Sequence, residues 1–189
     1  MSWRDKTLEL SRFGRIAFAF GLAGLCGGCF QPLYGSNSLV DGGSVKDKFA
    51  SVQVQEIEAP NGTAVARLGV EVRNSLIFDF TGGAGKAVNP THVLKINLAQ
   101  TRQQVIVDTT TARPDVENYG IDATYSLMDL NTKKIVVTGR TFSRVSFDIP
   151  GQQQRFAGAR GLRDAENRAA GVLAEQIKQR LASYFVAGT

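Results

Sequence analysis

The chain has two cysteines, Cys26 and Cys29, and their Cys-x-x-Cys spacing is the pattern in the sequence that most directly suggests side-chain chemistry. Such a pair exchanges disulfides when it opens a helix in a β–α–β unit, and it binds zinc when a second pair completes the ligand set. Neither context is present, because the pair ends an apolar run and His92 is the single histidine. A redox or zinc role is therefore not expected.

The residues before Cys29 have the order of a secretion signal. Residues 1–15 are rich in basic side chains, residues 16–25 are uninterruptedly apolar, and a pair of glycines precedes the second cysteine. At 1.5 Å per residue, the apolar run is too short to span about 30 Å of hydrocarbon, so a permanent transmembrane helix is not expected. We predict a signal peptide over residues 1–28.

Two small residues directly before a cysteine resemble the lipobox of bacterial lipoproteins, in which the sulfur receives a diacylglycerol and the chain is cut before the cysteine. Cys29 fits this pattern, whereas Cys26 follows Leu25 and fits it less well. Cys26 occupies the position where a lipobox usually has leucine, and an ordinary cleaved signal with an incidental cysteine is the alternative. Phe30 replaces the aspartate typical of inner-membrane lipoproteins. The resemblance thus implies an outer-membrane anchor, with lipid on Cys29 and no other cofactor.

Other short motifs fail the context tests for catalysis. Residues 82–86 resemble part of a phosphate-binding loop, but the pattern is incomplete and the segment closes a predicted helix. His92 has no nearby nucleophile and orienting group around it in the sequence. Asp108, Asp115 and Glu117 lie in a polar stretch, where carboxylates are usually solvated. We predict no catalytic constellation, no metal site and no enzymatic activity.

Hydrophobic periodicity predicts the elements that position these residues. Alternation of apolar and polar residues indicates strands near residues 51–58, 94–107, 121–127 and 135–149. A polar stretch over 109–118 is expected to be a loop or crossing, and residues 129–134 a hairpin turn. Repeats at three to four residues predict one helix beginning at Thr63 and a long C-terminal helix. The buried stripe of that second helix is predicted to comprise Leu162, Ala165, Ala169, Val172, Leu173, Ile177, Leu181 and Tyr184.

This order of elements predicts an α+β fold, with two helices packed on one face of a mostly antiparallel four-stranded sheet. The folded domain is expected over residues 51–189, after a lipidated N-terminus and tether over residues 29–50. The formal net charge is +5, but several basic residues lie in the signal and leave only a small excess afterwards. That balance predicts no nucleic-acid partner, and it permits an anionic lipid or glycolipid.

Two segments carry a family resemblance. They read Cys-Phe-Gln-Pro-Leu-Tyr-Gly at residues 29–35 and Asp-Ala-Glu-Asn-Arg-Ala-Ala at residues 164–170. Together they resemble the LptE family of lipopolysaccharide-assembly lipoproteins in its alphaproteobacterial form, over residues 29–186. The glycine that normally follows the lipidated cysteine is absent, and Gly28 precedes it instead.

The resemblance implies a non-enzymatic lipoprotein on the periplasmic side of the outer membrane. It would plug the lumen of the LptD barrel and take part in the transport of lipopolysaccharide to the outer leaflet. Because lipopolysaccharide is anionic, exposed loop cations are the expected contacts, and the candidates are Arg113, Lys133 and Lys134, expected at one end of the sheet. An alternative of equal weight is that the two lysines only keep the hairpin turn solvated and do not bind lipopolysaccharide.

A second functional hypothesis is an auxiliary lipoprotein of an ABC-type lipid transporter. Such a protein has a similar size, anchor and build, but it works without a barrel. A third hypothesis, an anchored periplasmic enzyme, finds no supporting residues in the sequence. The physical partner, a barrel or the subunits of a transporter, discriminates between the first two.

Overall fold

The structure, a computed structural model, describes residues 44–108, 113–149 and 155–187. The elements in these ranges are, in order, α1 (Val45–Ala50), β1 (Val52–Val54), α2 (Ala64–Thr81), β2 (His92–Asp108), β3 (Arg113–Asp129), β4 (Ile135–Asp148) and α3 (Arg155–Ala187). The predicted signal peptide, Cys29 and most of the predicted tether lie outside the described residues.

The four strands form one sheet in the order β1-β2-β3-β4. β1 pairs with β2 in parallel, because the helical crossover α2 connects them, while the other two pairings are antiparallel. The predicted α+β fold with a mostly antiparallel four-stranded sheet is confirmed, and the sheet is mixed through its short first strand.

The antiparallel ladder between β2 and β3 is longer than the sequence predicted. Residues 113–118, expected in a loop or crossing, belong to β3 and continue its pairing with β2 as far as Asp108. Pro114 is tolerated there because the ladder to β4 begins only at Val116, so β3 has a neighbour on one side at the proline. Long-range pairing thus outweighs the local turn signals.

A third helix, α1, was not predicted, since residues 29–50 were assigned to the lipidated N-terminus and tether. A capping box starts it: the Ser44 hydroxyl accepts from the Asp47 backbone N–H at 3.1 Å, and the Asp47 carboxylate accepts from Ser44. Val45 and Phe49 are buried in the core. The folded domain therefore includes residues 44–50.

The predicted helix beginning after Thr63 is confirmed as α2. The Thr63 hydroxyl caps it by accepting from the Ala66 N–H at 3.2 Å. Gly82 ends it in the left-handed conformation, with φ 63°, which a residue without Cβ adopts at little cost. The glycines after α2 therefore terminate a helix, as the sequence indicated, and do not open one around a phosphate.

The long C-terminal helix α3 packs against β3, β4 and α2. Its buried side is lined by small and branched apolar residues together with one carboxylate: Ala165, Glu166, Ala169, Ala170, Leu173, Ala174, Ile177, Leu181 and Ala182. Val172, predicted on this stripe, is 47% exposed because the 100° step from Leu173 turns it toward solvent. Leu162 and Tyr184 lie partly buried at the margin.

The helices cover one face of the sheet. On β3 the buried residues alternate, and they are Tyr119, Ile121, Ala123, Tyr125 and Leu127. The opposite face, which we call the open sheet face, consists of the odd-numbered residues 93–103, the even-numbered residues 118–128 and the even-numbered residues 138–148. Among the helices of the described residues, none combines the length and the apolar character needed to cross a membrane.

Candidate functional site

The structure separates the predicted lipopolysaccharide contacts. Arg113 is the first residue of β3, whereas Lys133 and Lys134 lie in the turn that follows its last residue, Asp129. The strand has 17 residues, so the two positions are about 50 Å apart at roughly 3.3 Å per residue. The expectation that all three cations share one end of the sheet is wrong. The Arg113 side chain and Cys29 lie outside the described part of the chain.

The turn that holds Lys133 and Lys134 is the predicted hairpin turn. The Asp129 carboxylate accepts from the Asn131 backbone N–H at 2.7 Å, and this bond holds the pKa of Asp129 below its ordinary value. Lys133 adopts a positive φ of 54°, and both lysine side chains are exposed. The turn thus presents two adjacent ammonium groups to solvent on an ordered backbone.

Helix α1 brings two further lysines, Lys46 and Lys48, to the same end of the sheet. Ser51 directly follows α1, and its hydroxyl oxygen lies 2.8 Å from the hydroxyl oxygen of Thr91, the residue directly before β2. Together α1 and the β3–β4 turn hold four lysines against two aspartates. Sequence reasoning missed the two lysines of α1 because it assigned that segment to the tether.

His92 begins β2 and closes the apolar core at this end. Its ring meets the Phe185 ring edge-on with centroids 5.5 Å apart, and its Nδ1 lies 2.8 Å from the Thr91 hydroxyl. Burial lowers the pKa of His92, and Lys48 acts in the same direction against the opposing charge of Asp129. The surroundings of His92 are those of a packing residue.

An ionic cluster lies between the helices and the distal half of the sheet, by which we mean the half that is farther from His92 and the β3–β4 turn. On the helix side, the Arg67 guanidinium of α2 donates to both carboxylate oxygens of Glu166 on α3, and the Arg163 Nε lies 3.7 Å away. On the strand side, Arg102 pairs with Glu117 through two of its nitrogens. Both carboxylates are buried, so the expectation that Glu117 is solvated is wrong.

Tyr119 lies near both halves of this cluster. Its hydroxyl donates to the Gln100 amide oxygen at 3.0 Å. Burial raises the pKa of Tyr119 to about 12, with Glu166 acting in the same direction and Arg67 and Arg102 opposing it. Each buried carboxylate has its own guanidinium partner, and each pair joins two secondary-structure elements. It does not resemble an acid–base pair poised to move a proton.

Two concave regions flank these elements. A cavity of about 220 Å³ lies between β1, the end of α2 and residues 85–87, and the Arg73 Nε within it donates to the Val54 carbonyl at 3.3 Å. An open cleft lies beside Arg102 and Glu117. The cavity is smaller than the ~300–1,000 Å³ usual for small-molecule sites. No group of three metal-binding side chains occurs within the part of the chain that the structure describes.

Comparison with known proteins gives the family. The LptE lipopolysaccharide-assembly family matches residues 49–181, which is more than half of the chain. A candidate lipoprotein from Caulobacter crescentus CB15 is 21% identical at a TM-score of 0.56, over 77% of this chain and 97% of that one. Rare lipoprotein B from Shewanella oneidensis is 16% identical at a TM-score of 0.50, over 72% and 96%.

The two structural likenesses, at such low identity, show a shared fold. No curated protein sequence matches the chain. The family match runs from the end of α1 to the last turns of α3, so it includes the sheet, the ionic cluster and the β3–β4 turn. The protein belongs to the LptE family of lipopolysaccharide-assembly proteins.

Proposed function

We propose that the protein is an outer-membrane lipoprotein that plugs the LptD barrel and takes part in the transport and insertion of lipopolysaccharide. The observation that carries this proposal is the family match over residues 49–181, which takes in nearly the whole described domain. Lipid on Cys29 would hold the domain at the periplasmic side of the outer membrane. The role is mechanical and recognitional, without an enzymatic step.

The construction of the domain supports such a role. A plug must keep its shape inside a rigid wall. Here one buried carboxylate with a guanidinium partner joins α2 to α3, and another joins β2 to β3. The interior of a transmembrane barrel is polar, and the open sheet face is mostly polar too. These properties suit a domain that fills the polar, water-filled interior of a barrel.

Lipopolysaccharide binding is proposed at the β3–β4 turn, where Lys133 and Lys134 are exposed and α1 adds Lys46 and Lys48. Ammonium groups pair with phosphates through charge-assisted hydrogen bonds, which are stronger than neutral ones. Arg113, at the far end of β3, is a separate second candidate. One lipid head cannot bridge positions about 50 Å apart along a strand.

The binding test uses the full chain in detergent and purified lipopolysaccharide. Lys133→Glu with Lys134→Glu should weaken binding several-fold at low salt, and less at moderate salt, because exposed charges are screened over about 8 Å at physiological ionic strength. Lys95→Glu with Arg140→Glu makes the same change of charge on the open sheet face and should have little effect. Arg113→Glu is measured alone. Equal losses in both double variants would contradict a site at the turn.

The partner test uses the full lipidated protein, purified from native membranes in mild detergent. Co-purification of a barrel protein at near-equal amounts is the result expected for a plug. Recovery of ABC-transporter subunits without a barrel would contradict the proposal and support the auxiliary-lipoprotein alternative. A chain with Leu173→Asp, whose domain should be strongly destabilised, controls for nonspecific capture.

A further inference from the structure

The outer edge of β1 has no neighbouring strand within the described residues. β1 is the first strand of the sheet and pairs with β2 alone, and residues 82–91, which follow α2, contain no strand. The Gln55 N–H donates to the Leu94 carbonyl at 2.9 Å, so the odd-numbered residues of this segment bond β2. The backbone groups of Val52 and Val54 therefore point away from β2, toward the cavity of about 220 Å³ beside residues 85–87.

The backbone groups along this edge are buried and only partly paired. Val52 and Val54 are 2% and 4% exposed. The Val54 carbonyl accepts from the Arg73 Nε at 3.3 Å. The Val54 N–H and the Val52 carbonyl have no partner in the part of the chain that the structure describes. Because buried backbone groups are nearly always hydrogen-bonded in folded proteins, the edge presents a donor and an acceptor that another chain can bond.

Two cations line the same cavity. Arg73, on α2, is half-buried, and the two terminal nitrogens of its guanidinium bond no other described residue. Lys86, in the segment after α2, is exposed and makes no ion pair with the described chain. Glu56 is the single acid of the lining, and it too is without an ion pair to a described residue. The cavity therefore combines an excess of positive charge with the unpaired edge of a strand.

We propose that this cavity binds an extended peptide segment of a partner protein, which adds a strand beside β1 and places an acidic side chain against Arg73 and Lys86. In strand addition, main-chain hydrogen bonds supply affinity and side-chain contacts supply specificity. A carboxylate forms charge-assisted bonds with guanidinium and ammonium groups, which is the pairing that the lining leaves unmade. The unpaired carbonyl of Val52 favours a peptide over a small anion, because an anion bonds only donors and cations. This site does not depend on the proposed plug function.

The binding experiment uses the full chain in detergent and a fluorescent peptide of sequence Thr-Val-Asp-Val-Thr-Val-Ser. The same peptide with lysine in place of aspartate should bind about tenfold more weakly, because its charge matches that of the cavity. Lys86→Glu should remove or reverse this preference, whereas Lys95→Glu, an equal change of charge at an exposed position of the open sheet face, should preserve it. Equal binding of both peptides, a preference that Lys86→Glu leaves unchanged, or dissociation constants above about 1 mM for both peptides would overturn the inference.

A second readout follows individual backbone amides of the unchanged chain by hydrogen exchange. The Val54 N–H faces the cavity and should exchange more slowly when the aspartate peptide binds. The neighbouring Gln55 N–H already bonds β2, so its exchange should change little. Peptide binding that protects neither amide would indicate a charge contact without strand addition and would overturn the inference. A Val54 amide that is already protected in the peptide-free chain would overturn it in favour of an internal partner for this edge.

Discussion

One guanidinium nitrogen of Arg67, Nη2, lies 2.7 and 2.8 Å from the two carboxylate oxygens of Glu166, a residue 99 positions away in the sequence. The bond connects α2 to α3 over the face of the sheet. Because Glu166 is buried, its carboxylate oxygens have little access to water, and Arg67 supplies the hydrogen bonds that join the two helices.

Removal of Arg67 alone should therefore destabilise the domain more than removal of Arg67 and Glu166 together. Arg67→Met should lower the free energy of unfolding by about 1–3 kcal/mol, because it leaves a buried carboxylate without its main partner. Adding Glu166→Met should restore much of that loss. Arg168→Met, which breaks the exposed pair with Asp164, should cost less than about 0.5 kcal/mol. Urea denaturation compares these three variants with the unchanged chain, and a double variant no more stable than Arg67→Met alone would contradict the coupling.

The buried side of α3 gives a sharp test of the fold. Leu173 is fully buried, whereas Gln179 is exposed on the other side of the helix. Leu173→Asp should destabilise the domain by about 3–5 kcal/mol, since it places an unpaired charge in the core. Gln179→Asp should leave the melting temperature nearly unchanged. Similar effects of the two substitutions would mean that α3 packs through a different face.

The single histidine predicts a pH dependence of stability. Folding lowers the pKa of His92 below its ordinary value of 6.5, so the unfolded chain binds more protons than the native one just below that pH. Stability should therefore fall as the pH drops through about 6.5. Thermal melts at pH 7.5 and 5.5 should show a smaller difference in His92→Gln than in the unchanged chain. An identical pH-dependent loss in both would rule out this contribution.

The anchor prediction concerns Cys29. Mass spectrometry of the mature N-terminus should show an acylated cysteine at this position, because Cys29 directly follows two small residues at the end of the apolar run. Cys29→Ala should give unprocessed or mislocalised protein, whereas Cys26→Leu, which restores the usual lipobox leucine, should be processed at least as well. An unmodified N-terminus at another residue would contradict the lipoprotein assignment.

Local signals predicted the parts of the fold that local chemistry determines. Helix α2 could be placed because Thr63 caps its start and Gly82 ends it, both within a few residues of the helical pattern. The β3–β4 turn could be placed from its polar residues. Residues 113–118 were missed because their strand depends on pairing with β2, and α1 was missed because its six residues follow a glycine- and serine-rich segment.

The candidate sites were harder to predict because they depend on tertiary contacts. The sequence identified Lys133 and Lys134. Their distance from Arg113 depends on the length of β3, which is longer than the alternation of its apolar and polar residues predicted. The burial of Glu117 and its pairing with Arg102 come from opposite strands of a long ladder. Nothing local in the sequence marks either partner.

The most direct test of the proposed role is depletion of the protein in its native host, with newly made lipopolysaccharide measured on intact cells by a label that cannot cross the outer membrane. Surface labelling should fall while total lipopolysaccharide in lysates persists, and expression of the unchanged chain should restore the surface signal. Unchanged surface labelling in cells depleted of the protein below detection would contradict the central claim that it takes part in lipopolysaccharide transport to the outer leaflet.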